Sequence, residues 1–198
     1  VETVSKNFEP TLPLGTTVDL IRTRADYITG RLKMLLENGL TGLGLVVLLL
    51  FLFLNARTAF WVAAGIPTAM LAAITVMYFA GITINMISLF ALIITLGIVV
   101  DDAIVVGEHA DHRARMGLEP YEAAESAAKR MALPVFAATL TTIIAFFGLV
   151  VIGGRFGDLI ADIPFTVVAV LAASLVECFL ILPNHMAHSL KHVGNNYW

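Results

Sequence analysis

The sequence predicts an all-α membrane protein: a five-transmembrane-helix bundle with a short amphipathic interfacial helix. Two observations carry this prediction. Hydrophobic residues make up 59% of the 198 residues and charged residues only 14%, and the mean hydropathy is +0.88. Soluble domains typically carry about 25% charged residues. Because about 20 apolar residues are needed to cross a bilayer, five crossings account for about half of this chain.

The uncharged stretches give the positions of the spans, because charged side chains are costly in lipid and therefore fall between crossings. Stretch 58–100 is uncharged and long enough for two helices, so the chain must reverse within it. Gly81 permits such a turn, Asn85 can cap the next helix, and Pro183 should kink or end the last one. Within a transmembrane domain of residues 38–192, the predicted spans are 38–56, 58–79, 84–106, 131–153 and 163–187.

The segments outside this domain are short. We interpret residues 1–37 as the remnant of a periplasmic domain, with its last strand at 18–23, followed by an amphipathic lead-in helix at 26–37. A disordered tail is the alternative. The chain begins at Val1 without a secretion signal, so we expect it to be part of a longer polypeptide. Residues 193–198 are assigned to a tail.

The charged segment 107–130 separates the third and fourth predicted spans. Tyr121, Ala124 and Ala128 recur in it at helical spacing, which predicts the short amphipathic helix at the membrane surface. Lysine and arginine are more frequent in the short loops on this side of the bundle than on the other. By the positive-inside rule, we expect loops 55–59 and 107–130 to be cytoplasmic.

Composition also excludes several functional classes. The net charge of −3 and the pI of about 5.9 provide no basic surface, so a nucleic-acid partner is not expected. Cys178 is the single cysteine in the sequence, and it cannot form an internal disulfide.

Asp101 and Asp102 form the strongest functional signal. They follow an uncharged run and precede four more apolar residues that prolong the helix, so both carboxyls are expected to be partly immersed in the membrane. A low dielectric and a neighbouring acid disfavour the charged form, which allows the pair to take up and release a proton. Gly97, one turn earlier, allows another helix to approach closely. The alternative is an ordinary polar helix end at the cytoplasmic interface.

Further polar residues lie within the predicted spans. Glu177 is a second intramembrane acid, and such residues are functional candidates by default. Its alternative role is a hydrogen bond to a hydroxyl group in the neutral state. Thr139 and Thr142 share one face of the fourth span and can be polar partners of the aspartates, or can bond to carbonyl groups of their own helix.

Three histidines follow at helical spacing, His185, His188 and His192. Their common face would suit a metal ion and a membrane-embedded metalloenzyme. However, the acid of a zinc peptidase HExxH motif is missing, and the set falls at a cytoplasmic helix end, where titratable histidines are common. We therefore predict no metal site, no cofactor and no enzymatic activity.

Run 90–106, with its Gly-x-x-x-Asp-Asp element from Gly97 to Asp102, resembles the fourth transmembrane helix of the resistance-nodulation-division (RND) efflux transporters. Both acids are kept in the hydrophobe/amphiphile efflux branch of this family. The supporting matches are Leu54-Asn55-Ala56-Arg57, Ile66-Pro67, Ile82-Thr83-Ile84-Asn85 and Ile181-Leu182-Pro183.

The resemblance implies transmembrane helices 2 to 6 of the N-terminal half of a proton-driven multidrug pump of the bacterial inner membrane. Asp101 and Asp102 then match the family's proton-relay acids, which pair with a lysine of the second half. The resemblance also implies a periplasmic adaptor and an outer-membrane channel as partners. It gives no role for Glu177 or His185.

The chain holds only the acidic half of this relay, so we expect it not to transport alone. Its partners would be the lipid bilayer, protons, and either the second half of the transporter or a homo-oligomeric copy of itself. The same five-helix unit also resembles the sterol-sensing domain, which keeps a lipid- or sterol-binding module as the alternative function.

Overall fold

The computed structural model describes residues 2–13 and 24–190. Within these ranges it contains helices and no strand, and five of them are long and apolar enough to cross a membrane. The predicted fold class and number of spans are confirmed. The predicted strand at 18–23, His192 and the tail lie outside the described residues. The helices are α1 (Glu2–Phe8), α2 (Arg24–Phe53), α3 (Ala56–Phe79), α4 (Met86–Arg115), α5 (Pro120–Phe147), α6 (Gly154–Ile160), α7 (Asp162–Val176) and α8 (Leu182–Leu190).

Helix α4 lies at the centre of the bundle and packs against α2, α3, α5 and α7. Helices α7 and α8 cover it from one side and also contact α3 and α5. Only 6% of the most apolar stretch of α2 is buried, against 44% for α4. Helix α2 therefore presents most of its apolar surface outwards.

The turn between α3 and α4 forms as the sequence predicts. Gly81 adopts a φ of 75°, a left-handed conformation that glycine tolerates without steric cost. The Asn85 side chain accepts hydrogen bonds from the backbone N–H groups of Ile87 at 2.8 Å and Ser88 at 3.0 Å. The Ser88 hydroxyl in turn accepts from the Asn85 N–H at 2.8 Å. This reciprocal capping box fixes the start of α4.

Side-chain hydrogen bonds tie both ends of α4 to neighbouring segments. At its start, Asn85 Nδ2 donates to Asp162 Oδ2 of α7 at 2.6 Å. Near its end, Asp111 Oδ1 accepts from Asn55 Nδ2, just before α3, at 2.6 Å, and Asp111 Oδ2 pairs with Arg115 at 2.8 Å. These ties set the position of α4 along the bundle axis.

The predicted separate amphipathic helix over 107–130 is wrong. Residues up to Arg115 continue α4, and residues from Pro120 onwards belong to α5. A short turn joins them, with Gly117 at a φ of 94°. Of the residues that suggested an interfacial face, Ala124 packs into the main core together with Ala110, Ala123 and Ala127, whereas Tyr121 is exposed. Neighbouring helices, and not a lipid surface, cover these alanines.

The last membrane-crossing segment is continuous but irregular. A π-helical turn, Glu177–Ile181, joins α7 to α8, and the Leu182 N–H donates to the Glu177 carbonyl. Pro183 has no N–H to donate, and it comes directly after this π-helical turn, which holds one residue more than an α-helical turn. The helix continues past Pro183. The sequence allowed Pro183 either to kink or to end the helix. In the structure Pro183 does not end the helix, and it lies next to the change from π-helical to α-helical pitch.

Candidate functional site

Asp101 and Asp102 lie on different sides of α4. Adjacent residues of a helix are separated by about 100°, so one carboxyl can face the core while the other faces outwards. Asp102 is buried with 8% of its surface exposed, whereas Asp101 is exposed. The two acids therefore occupy different environments despite being neighbours in the chain.

The Asp102 side chain lies between α4, α5 and the π turn. The Cys178 thiol donates to the Asp102 backbone carbonyl at 3.4 Å, and the Thr139 hydroxyl lies beside the Asp102 carboxyl. Asp102 Oδ2 is buried without a hydrogen-bond partner among the described residues. An unpaired carboxylate oxygen in such a place is costly when charged.

Asp101 opens into a cleft of ≈ 580 Å³ between α2 and α4. Gly97 lines the same cleft one turn earlier, and a Cβ added to Gly97 would meet no atom within 4 Å. Gly97 therefore faces open space among the described residues, and the predicted close approach of another helix at this position stays a prediction. Glu108, which the sequence analysis did not single out, lines the cleft two turns later. Its spacing of seven residues from Asp101 is the signal that predicts a shared face.

The two threonines of α5 bond mainly to their own helix. Thr139 donates to the Val135 carbonyl at 2.8 Å, and Thr142 donates to the Ala138 carbonyl at 3.0 Å. This is the alternative role that the sequence left open. Thr139, which is 2% exposed, is the one placed beside Asp102.

Glu177 is the most deeply buried acid in the part of the chain that the structure describes, with 3% exposure. It is the first residue of the π turn, and its carboxyl packs against Gly65 of α3. The Ser174 hydroxyl, one turn earlier, is buried without a hydrogen-bond partner. The predicted alternative, a hydrogen bond from Glu177 to a neighbouring hydroxyl, is therefore wrong for Ser174.

The histidines occupy separate environments. The His185 ring stacks on the Trp61 ring, with centroids 4.2 Å apart and planes 10° apart. His188 Nδ1 lies 2.9 Å from the Asn184 carbonyl of the preceding turn. Within the described ranges, no three His, Cys, Asp or Glu side chains come together in a metal-binding arrangement.

Comparisons with known proteins identify the family of this chain. The model of the AcrB/AcrD/AcrF family matches residues 1–196. The swarming motility protein SwrC of Bacillus subtilis is 34% identical over 170 residues, which are 84% of this chain and 16% of SwrC. The multidrug resistance protein MdtC of Photorhabdus laumondii is 32% identical over 150 residues, 75% of this chain and 14% of MdtC.

A solved structure has the same fold. The crystal structure of a heavy metal efflux pump superposes with a TM-score of 0.77 at 28% identity, and the match covers 92% of this chain and 18% of the pump. The chain thus spans less than a fifth of the length of these relatives. With the family model matched over residues 1–196 and five membrane-spanning helices in the same arrangement, the chain belongs to the AcrB/AcrD/AcrF family of RND efflux transporters.

Proposed function

We propose that this chain is the transmembrane proton-relay portion of a proton-driven efflux pump that exports drugs and other hydrophobic compounds in exchange for protons. The observation that carries the proposal is the Asp102 carboxyl, which is buried in the centre of the bundle with an unpartnered Oδ2. Asp101 beside it opens to a cleft. The names of MdtC and of the heavy metal efflux pump support an export function.

The chemistry required of the pair is reversible proton binding. A charged carboxylate at Asp102 has no cationic partner within the described part of the bundle, so binding a proton removes the cost of burying the charge. A cation brought to the pair would favour the ionised form instead. Exchange between the protonated and the ionised form changes the charge that the surrounding helices enclose. This change couples proton flow to helix movement.

Four residues have supporting roles in this proposal. Gly97 lines the cleft beside Asp101, and Thr139 and Thr142 supply the polar face of α5. Of these, Thr139 is supported by its position beside Asp102. The contacts of Glu177 indicate a role of its own.

The proposal also includes a cation that pairs with the aspartates and the other parts of the export pump. The second half of the transporter would supply a lysine to the aspartates, and a periplasmic adaptor and an outer-membrane channel would complete the export route. The chain would lie in the bacterial inner membrane, with residues 55–59 and 107–130 on the cytoplasmic side. Alone, it would bind protons but not transport.

Infrared difference spectra of the carboxyl groups test the proton-binding function. We expect the wild type to show a protonated carboxyl band at neutral pH that is lost in Asp102→Asn. Asp101→Asn should change the band less, because Asp101 is exposed. Glu119→Gln is the control for an acid at the turn before α5. A spectrum with all carboxyls ionised down to pH 5 contradicts the proposal.

Self-association is expected of the isolated chain. The apolar side chains Leu45, Leu48 and Leu52 of α2 are 58%, 64% and 71% exposed. A second copy would cover this surface in the place of the second half of the transporter. Light scattering in detergent should therefore report a homo-oligomer, and a monodisperse monomer would remove this part of the proposal.

One observation favours the lipid- or sterol-binding alternative. A cleft of ≈ 230 Å³ between α2, α3 and α4 is lined only by apolar side chains and Gly39, among them Leu40, Pro67 and Met70. Such a cleft suits a hydrocarbon chain. Native mass spectrometry that finds a stoichiometric bound lipid, together with unprotonated aspartates, would favour this alternative over the proton relay.

A further inference from the structure

We propose that Glu177 is a second proton-binding site of this bundle, placed between α3 and the π turn at the depth of Asp102. The inference deepens the proposed function and rests on it for the use of the proton. The proton-binding site itself rests on the contacts of Glu177 alone.

The Glu177 carboxyl lies in the space that Gly65 leaves free, because glycine has no side chain. A Cβ built on Gly65 would fall on Glu177 Oε1, and would lie 2.6 Å from Cδ and 3.0 Å from Oε2. No real Cβ is found at such separations, so any larger residue at position 65 would displace the carboxyl. The backbone of α3 and the side chain of Glu177 are thus fitted to each other.

The depth of Glu177 follows from the tie between α4 and α7. Asn85 and Asp162 are hydrogen-bonded at the start of both helices, and the Cys178 thiol contacts the Asp102 carbonyl further along, so the helices run parallel. At about 1.5 Å per residue, Asp102 lies about 25 Å and Glu177 about 22 Å from this tie. The two acids are therefore at nearly the same level on opposite sides of the interface.

Among the residues that the structure describes, the groups that face Glu177 supply no cation. The π turn contacts α3, α4, α5, α7 and α8. Asp102 on α4 is itself acidic, α3 presents Gly65, and α7 presents the Ser174 hydroxyl. On α8, His185 stacks on Trp61.

The charged residues of α5 that lie near the π turn are on its other side. Glu125 and Lys129 line a cleft there with Phe179 and Leu180. They also form an ion pair with each other at 2.6 Å, so neither neutralises Glu177.

A carboxylate at Glu177 would therefore be buried in the bundle without a counter-charge from the described part of the chain. Burying an unpaired charge is far more costly than burying a neutral carboxyl group. Binding one proton at the carboxyl removes this cost. Asp102 is a second buried acid without a cationic partner in the described part of the bundle, so the two carboxyls provide two separate sites for a proton.

The same infrared experiment, on the complete 198-residue chain, tests the inference. We expect Glu177→Gln to lose a protonated carboxyl band at neutral pH that Asp102→Asn retains. As pH rises, the wild type should lose its carboxyl absorption in two steps, and each single variant in one. Glu125→Gln, in the exposed ion pair of α5, is the matched control and should leave both bands unchanged.

A second variant keeps the inference testable if Glu177→Gln does not fold. Gly65→Ala retains the acid but displaces it, and should shift the frequency of the Glu177 band without altering the Asp102 band. Gly42→Ala is its control, because an added Cβ there meets no atom within 4 Å. An unchanged spectrum in both Glu177→Gln and Gly65→Ala overturns the inference.

The outcomes separate the two proposals. Loss of a band in Asp102→Asn but not in Glu177→Gln overturns the second site and leaves the proposed relay standing. Loss in Glu177→Gln alone supports the second site and contradicts protonation of Asp102.

Discussion

Replacing Gly65 by alanine is the sharpest test of how the bundle holds its buried acid. The added methyl group would occupy the space of the Glu177 carboxyl, with Cδ only 2.6 Å away. Either the glutamate must move out of its seat or α3 must separate from the π turn. Both changes disturb a region in which Ile66 and Cys178, the neighbours of these residues in the chain, are at most 1% exposed.

The expected magnitude follows from two opposing effects. Overpacking a well-filled core typically costs about 1–3 kcal/mol. Alanine is favoured over glycine in a helix interior by about 1 kcal/mol. Gly65→Ala should therefore destabilise the wild type by about 0–2 kcal/mol. In a Glu177→Ala background the collision is absent, and the same substitution should stabilise by about 1 kcal/mol.

The assay is the free energy of unfolding of the detergent-solubilised protein, followed by circular dichroism during titration with a denaturing detergent. The interaction between the two substitutions should amount to about 1–3 kcal/mol by a double-mutant cycle. Glu177→Gln keeps the size of the side chain, so the cost of Gly65→Ala should persist in that background. Gly42→Ala reports the helix propensity alone, since nothing lies within 4 Å of its Cβ.

Two results would contradict this prediction. Gly65→Ala could have the same effect with and without the glutamate side chain, or Gly42→Ala and Gly65→Ala could be equally stabilising in the wild type. Either result would mean that the carboxyl does not occupy the gap beside Gly65.

Three further variants test the hydrogen bonds and the ion pair at the ends of α4. Asn55→Ala removes the 2.6 Å bond to Asp111 and should lower the unfolding free energy by about 1.5–3 kcal/mol, as for hydrogen bonds to charged groups. Arg115→Ala should cost only about 0–1 kcal/mol, because the Arg115 side chain is 51% exposed; a larger loss than for Asn55→Ala would contradict this order. Asn85→Ala removes both the helix cap and the bond to Asp162, so amide hydrogen exchange in the first turn of α4 should accelerate by about tenfold or more, a cap alone being worth about 1 kcal/mol. Unchanged protection there would argue against this role for the cap.

Much of the fold is predictable from the sequence because, in a membrane, the positions of the helices follow from the hydrophobicity along the chain. A stretch without charges must cross the hydrocarbon core, and its length counts the crossings. The reversal at Gly81 and the cap at Asn85 are equally local, since each depends on backbone preferences within a few residues. Both are formed in the structure.

The prediction for 107–130 was wrong for a physical reason. An amphipathic pattern states that one face avoids water, but not whether lipid or protein covers it. The small side chains Ala123 and Ala124 permit close helix approach, and in the structure they join the core with Ala110. This choice depends on the position of helices that are distant in the chain.

Some features of the candidate site are likewise visible in the sequence, and others are not. That Asp101 and Asp102 fall at the end of an apolar run is visible in the sequence, and a helix of about 100° per residue requires them to face different directions. The sequence gives no indication of which acid is buried. Nor does it associate Glu177 with Gly65, because the two residues are on different helices and their fit is one of shape.

The order of residues by itself determined that this protein spans a membrane five times and carries acids where acids are costly, because both properties depend on hydrophobicity along the chain. Only the tertiary structure decided which acid is enclosed, that Glu177 lies in the gap at Gly65, and that Asp102 and Glu177 share one level. These properties arise from helices meeting at fixed registers, and packing contacts between distant residues leave no local pattern in the sequence.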